Sequence, residues 1–145
     1  MRRPWVYFDS SSFVKLFTTE SGSQEARRIA RKSRLLVNCI TGVECISALS
    51  RKKAEEELEE AAFEKIVELI RKSLNQVDQL RLSDEVLNRA EMVVLATPVR
   101  ALDALHLACV LEFQSQTGIR PLMITSDRKQ EIAARRHGIR TQLVE

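Results

Sequence analysis

The chain is poor in the features that mark several large classes of protein. Its three cysteines, Cys39, Cys45 and Cys109, are odd in number, widely spaced and without a Cys-x-x-Cys pair. That excludes a disulfide framework and a cysteine zinc site, and points to buried free thiols in a reducing compartment. No apolar run approaches the roughly 20 residues that a membrane span needs, so no membrane partner is expected. The basic start Met1-Arg2-Arg3 leads into an apolar stretch that meets Asp9 too soon for a signal peptide. Together these absences predict a cytoplasmic protein. Repeats, linkers and low-complexity segments are also missing, and 145 residues suit one domain, 1–145, with one core.

Hydrophobic residues make up 44% of the chain and charged residues 30%, so a packed, soluble domain is expected. The net charge of +3 is unevenly spread: residues 1–53 carry +7, residues 54–92 carry −6 and residues 93–145 carry +2. A basic segment around acidic residues suits a polyanion, although ordinary solvated helix faces would look the same. Arg27, Arg28, Arg31, Lys32, Arg51, Lys52 and Lys53 are its candidate phosphate contacts.

Strands alternate with helices along the chain. Residues 5–9, 35–37, 77–82, 122–125 and 139–144 read as short strands. Helices are predicted after Ser10-Ser11-Ser12, over 23–31, from a Thr41 cap, over 54–75, from a Ser83 cap to 95, over 100–113 and over 128–137. Gly138 suits a C-cap and Pro98 a break. The stretch 54–75 carries one apolar stripe, Leu58, Ala62, Ile66, Leu69 and Ile70, with Glu55-Glu56-Glu57 on its other faces. The stripe either covers the sheet or forms an interface. This alternation predicts a parallel sheet with helices on both faces.

Four acids stand where carboxylates are costly. Asp9 and Asp127 end two apolar strand runs, while Glu44 and Asp103 interrupt apolar helical stretches, Glu44 between Val43 and Ile46 on what reads as a buried face. In parallel α/β sheets, ligands bind beyond the carboxyl ends of the strands, so all four can meet at one edge. Two carboxylates about 4 Å apart repel by about 4 kcal/mol at an effective dielectric of about 20. Four together need a cation or protons. An all-oxygen donor set favours Mg²⁺ or Mn²⁺, ions that clamp phosphates and activate water. Each acid also has an ordinary reading: Asp9 and Asp127 as N-caps, Asp103 as the complement of a helix dipole.

The segments Tyr7-Phe8-Asp9-Ser10-Ser11-Ser12-Phe13, Thr41-Gly42-Val43-Glu44-Cys45, Leu102-Asp103-Ala104-Leu105-His106 and Ile124-Thr125-Ser126-Asp127-Arg128 resemble, in order and spacing, the PIN-domain ribonucleases, most closely VapC-type toxins of toxin–antitoxin pairs. The resemblance spans nearly the whole chain. It implies a PIN-like three-layer α/β/α fold with about five parallel strands. It further implies a Mg²⁺/Mn²⁺-dependent endoribonuclease, a homodimer and a VapB-like antitoxin that blocks the site. Asp9, Asp103 and Asp127 match the acids that hold metal, and Glu44 the acid that completes the pocket. Ser11 and Ser126 match small polar positions beside it. In-line hydrolysis of RNA would leave a 3′ hydroxyl and a 5′ phosphate. The lack of a histidine pair argues against a metal-free route through the 2′-hydroxyl.

Two alternatives stay open: a PIN nuclease of RNA processing or DNA metabolism without an antitoxin, and a non-catalytic RNA- or protein-binding module. His106, three residues after Asp103, reads as a satisfied structural group or as one that orients a carboxylate. His137 reads as a helix-end residue facing free carbonyls. Trp5 and Tyr7 read as packing residues. Cys45 with Arg51 fits a thiolate-phosphatase spacing, but it lies in an apolar helix without the loop that chemistry needs.

Overall fold

The computed structural model describes residues 2–145, so Met1 of the basic start lies outside the described residues. Five strands form one sheet: β1 (Trp5–Phe8), β2 (Arg34–Asn38), β3 (Asp78–Leu80), β4 (Leu122–Thr125) and β5 (Thr141–Leu143). All neighbours run parallel, in the order β3-β2-β1-β4-β5. The register pairs Val6 with Leu35 on one side and Tyr7 with Met123 on the other. Seven helices connect the strands: α1 (Ser10–Phe13), α2 (Ser23–Arg31), α3 (Thr41–Ala54), α4 (Glu60–Leu74), α5 (Asp84–Ala96), α6 (Ala101–Thr117) and α7 (Arg128–Arg136).

Strand residues alternate between two cores, as a period of two requires. Tyr7, Leu36 and Met123 pack with residues of α5, α6 and α7. Val6, Phe8, Val37 and Ile124 pack with residues of α1 to α4. Both faces of the sheet are thus covered, which is why β1, β2 and β4 read as continuous apolar runs. The expected three-layer α/β/α architecture is present. The sheet grows from β1 outward to β3, then returns to β1's other side for β4 and β5. The strand order therefore switches at the β1/β4 pair, where α/β sheets open a crevice for ligands.

Several expected boundaries move, each for a local reason. The predicted helix 54–75 is in fact the end of α3, a turn and α4. Glu57 N–H donates to Lys52 O at 2.9 Å and Glu56 N–H to Lys53 O at 3.1 Å, with Glu56 at φ 59°. This is a Schellman stop with glutamate where glycine is usual, so no sequence signal marked it. Glu55, Glu56 and Glu57 accordingly sit in the turn rather than on helix faces. Asp9, not the serine triplet, caps α1, and a single 3₁₀ turn, Val14–Leu16, follows. Thr41 makes no cap bond; its hydroxyl accepts the Asn38 N–H at 3.1 Å and so closes the turn out of β2. Ser83 does cap α5 and Gly138 does follow α7 with positive φ. The central helix α6 runs four residues beyond 113, until Gly118 turns left-handed at φ 74°. Both edge strands are three residues long, shorter than predicted, which limits pairing with other chains. Cys39 is exposed, against expectation, whereas Cys45 and Cys109 are buried, with thiols pushed up to about 12 by desolvation first.

Part of the α4 stripe packs into the core on the α1-to-α4 face of the sheet, beside α3. Val67 and Ile70 are buried, and Leu58, Phe63 and Ile66 pack against the same cluster, while Leu69 is largely exposed. Ile70→Ala should therefore destabilise the fold by about 2–5 kcal/mol, read as a lower denaturant midpoint. Leu69→Ala should leave that midpoint nearly unchanged.

Candidate functional site

Asp9 leaves the carboxyl end of β1 at the switch point and is 4% exposed. Its Oδ1 accepts hydrogen bonds from Ser11 Oγ (2.7 Å), Ser12 N (3.1 Å) and Ser12 Oγ (3.1 Å). Its Oδ2 accepts one from Thr125 Oγ1 at 2.5 Å. The carboxylate thereby ties α1 to the end of β4. Ser11 extends the tie, because its Oγ also accepts the Ser126 N–H at 3.0 Å.

Glu44 lies near the start of α3, but the sequence argument for its burial needs correction. Val43 is 66% exposed, and the inward face is Thr41, Gly42, Cys45 and Leu49. Glu44 sits at the margin of that face. Its Oε1 accepts hydrogen bonds from Ser10 Oγ at 2.6 Å and His106 Nε2 at 2.7 Å. Burial pushes the Glu44 carboxyl up, yet the bond from His106, the field of His106 and the bond from Ser10 together hold it below its ordinary value.

His106 is 2% exposed and satisfied at both nitrogens: its Nδ1 lies 2.6 Å from the Tyr7 hydroxyl. Burial, with the fields of Cys109, Asp9 and Glu44, pushes the Tyr7 phenol well above its ordinary range, so it keeps its proton. As donor to Nδ1, it leaves the imidazole N–H at Nε2, facing Glu44. Both readings of His106 hold at once, for it is structurally satisfied and it orients a carboxylate. Tyr7 was legible only as packing. No spacing connects residues 7 and 106; the available signal was that a buried histidine needs two polar partners. His137 meets the Thr97 hydroxyl at 2.8 Å rather than free carbonyls.

Asp103 is in the first turn of α6, half-buried. Desolvation raises its carboxyl pKa, followed by the field of Asp127; Asp9 and Glu44 add to the rise and His106 opposes it. Asp103 thus stands in the fields of the other three acids. Asp127 is exposed and caps α7, its Oδ1 accepting from Lys129 N at 2.8 Å and Gln130 N at 3.4 Å. Asp103 and Asp127 share a cleft of about 720 Å³. Glu44 lines a smaller depression of about 310 Å³ with Val43, Arg51 and Leu102. Asp9 lies buried and lines neither. The N-cap readings of Asp9 and Asp127 are therefore present in the structure.

In these side-chain positions no group of three acids, histidines or cysteines is arranged to hold an ion among the described residues. The donor chemistry nonetheless fits a hard divalent cation: the four acids offer only oxygen, and their mutual repulsion is the kind such an ion relieves. The Asp127 cap bonds all fall on Oδ1. Beside it, Ser126 Oγ is buried without a hydrogen-bond partner.

The PIN domain model matches residues 6–136. The chain belongs to the PIN-domain family. This PIN domain is similar in structure to a toxin–antitoxin complex from Klebsiella pneumoniae, with TM-score 0.60 and 18% identity over 86% of this chain and 88% of that one. It is also similar to VapBC-5, a member of the VapBC family of toxin–antitoxin systems from Mycobacterium tuberculosis, with TM-score 0.58 and 14% identity over 97% and 98%. At such identities the likeness establishes the fold, a VapC-like one. No curated protein matches the sequence. No single helix among the described residues is long and apolar enough to cross a membrane.

The raised Asp103 pKa has a thermodynamic consequence. A carboxyl whose pKa is higher folded than unfolded opposes folding once both states are ionised, and this loss is absent below the unfolded pKa. Asp103→Asn should therefore raise the thermal midpoint of the metal-free PIN domain at neutral pH. The gain should shrink as pH falls through the ordinary carboxylate range, where wild type is protonated too. Thermal scans from pH 3 to 8 read the difference.

Proposed function

We propose that this PIN domain is a Mg²⁺- or Mn²⁺-dependent endoribonuclease that acts as the toxin of a toxin–antitoxin pair. The observation that carries the reading is geometric: Asp9 and Asp127 follow the two strands of the β1/β4 switch point, and Asp103 shares a cleft with Asp127 and stands in the fields of the other three acids. Asp9, Asp103 and Asp127 would hold the metal, and Glu44 would complete the coordination or position water. When bound, the ion offsets this charge and polarises a phosphodiester oxygen. Ser11, Ser12 and Thr125 hold Asp9 in one rotamer. His106 and Ser10 do the same for Glu44 and keep it ionised, ready to accept a hydrogen bond from attacking water. Hydrolysis in line would leave a 3′ hydroxyl and a 5′ phosphate.

The two structural neighbours are toxin–antitoxin assemblies, which supports a VapB-like antitoxin as partner. We take residues 1–145 as one PIN domain acting as a homodimer in the cytoplasm. Purified chain, freed of any antitoxin, should cut RNA in Mg²⁺ or Mn²⁺ and stop in EDTA. Losing an outer-shell partner of a metal ligand costs about 10–100-fold, so losing the ligand itself, in Asp103→Asn, should slow cutting by at least about 100-fold. A folded protein that cuts no RNA, or an Asp103→Asn variant as fast as wild type, would contradict the proposal.

A further inference from the structure

The acids gather at the carboxyl edge of the sheet, and the opposite edge carries the reverse charge. β2, β1, β4 and β5 are neighbours in that order. β2 begins on Arg34, Arg2 and Arg3 precede β1, Arg120 precedes β4 with Pro121 between, and Arg140 immediately precedes β5. The amino ends of four adjacent strands therefore present arginine, and all five arginines are exposed. Only β3, at the end of the order, begins on an acid, Asp78.

None of the five forms an ion pair among the described residues. Three are nevertheless held in place. The Arg34 guanidinium lies 3.8 Å from the centroid of the half-buried Trp5 ring, which in turn meets Phe113 at 5.7 Å. Arg120 Nη2 donates to the Gly138 carbonyl at 2.9 Å, and Arg140 Nη2 donates to the Arg120 carbonyl at 2.6 Å. A ring face and neutral carbonyls fix the direction of a guanidinium without cancelling its charge. Like charges held side by side repel, and an anion relieves them. Guanidinium is also the donor best matched to phosphate.

The three are pinned at separate places, Arg34 on β1's tryptophan and Arg120 with Arg140 beside β4 and β5, so they are not gathered around one small ion. Three strand spacings, about 14 Å, separate the backbones of β2 and β5. Such a row suits a chain of phosphates, and RNA is the polyanion that the acids at the other edge call for. We propose that the amino edge of the sheet is a second RNA-binding surface, where Arg34, Arg120 and Arg140, joined by Arg2 and Arg3, hold backbone phosphates of the substrate far from the bond that is cut. The inference rests on the nuclease reading and adds the kind of RNA preferred. The two edges are a strand length apart, about 13 Å for four residues. A long or folded RNA that passes around the domain touches both, and the row recognises it by its backbone rather than by sequence.

The test uses full-length Asp103→Asn protein, which should bind without cutting, and fluorescence anisotropy of a labelled hairpin RNA with long single-stranded flanks across a salt series. Adding Arg34→Gln, Arg120→Gln and Arg140→Gln should lower the slope of log affinity against log salt by about 2, since each single-strand phosphate contact contributes about 0.7. Lysine at the same three positions should keep the slope, because it keeps the charge while changing the local bonds. Arg28→Gln with Lys65→Gln, on α2 and α4, should also keep it. Circular dichroism checks that each variant folds. An unchanged slope in the glutamine variant, with wild-type protein still cutting RNA, would overturn the row and spare the nuclease. An equal loss in the folded lysine variant would overturn the role of charge. Anionic phospholipid vesicles that lose binding with the row, while RNA does not, would overturn RNA as its occupant. Wild-type protein that neither binds nor cuts RNA would remove the nuclease reading, and the row's role with it.

Discussion

Asp103 stands half out of water in the combined field of Asp127, Asp9 and Glu44, and much of the surrounding structure is arranged around that repulsion. Asp9 is held by three hydroxyls and one backbone N–H, and Glu44 by a serine and a histidine whose far nitrogen meets a buried tyrosine. These partners set Asp9 and Glu44 in direction, and those on Glu44 favour its ionised form. The repulsion they leave on Asp103 is the kind a divalent cation relieves.

The sheet makes this possible. Parallel strands covered on both faces end at a common edge, and the change of strand order between β1 and β4 opens that edge to solvent. Asp9 follows one of those strands and Asp127 the other, while α3 and α6 bring Glu44 and Asp103 from outside. Two cores, one for each face, anchor the helices that carry the acids. Along α7, Arg128 pairs with Glu145 and Arg135 with Glu131, while Lys129 and Arg136 have no ion pair among the described residues.

Much of this was legible because strand ends and interrupted apolar helices announce themselves. Asp9 and Asp127 could be placed from Trp5-Val6-Tyr7-Phe8 and Leu122-Met123-Ile124-Thr125 alone, and Asp103 from the apolar run around it. Glu44 was found for a reason only half correct, since Val43 faces solvent and Cys45 faces inward. The break before α4 was invisible, because Glu56 takes a left-handed conformation that sequence assigns to glycine. The link from Tyr7 to His106 to Glu44 was invisible for another reason, for it joins residues 99 apart through side chains that periodicity assigns to packing.

The central claim is that the four carboxylates form one cation site. Calorimetric titration of Mn²⁺ into wild type and Asp103→Asn at neutral pH tests it most directly. The account predicts saturable binding to wild type, weakened at least about 10-fold in the variant. Equal affinity in the two proteins, or no binding to folded wild type, would contradict it.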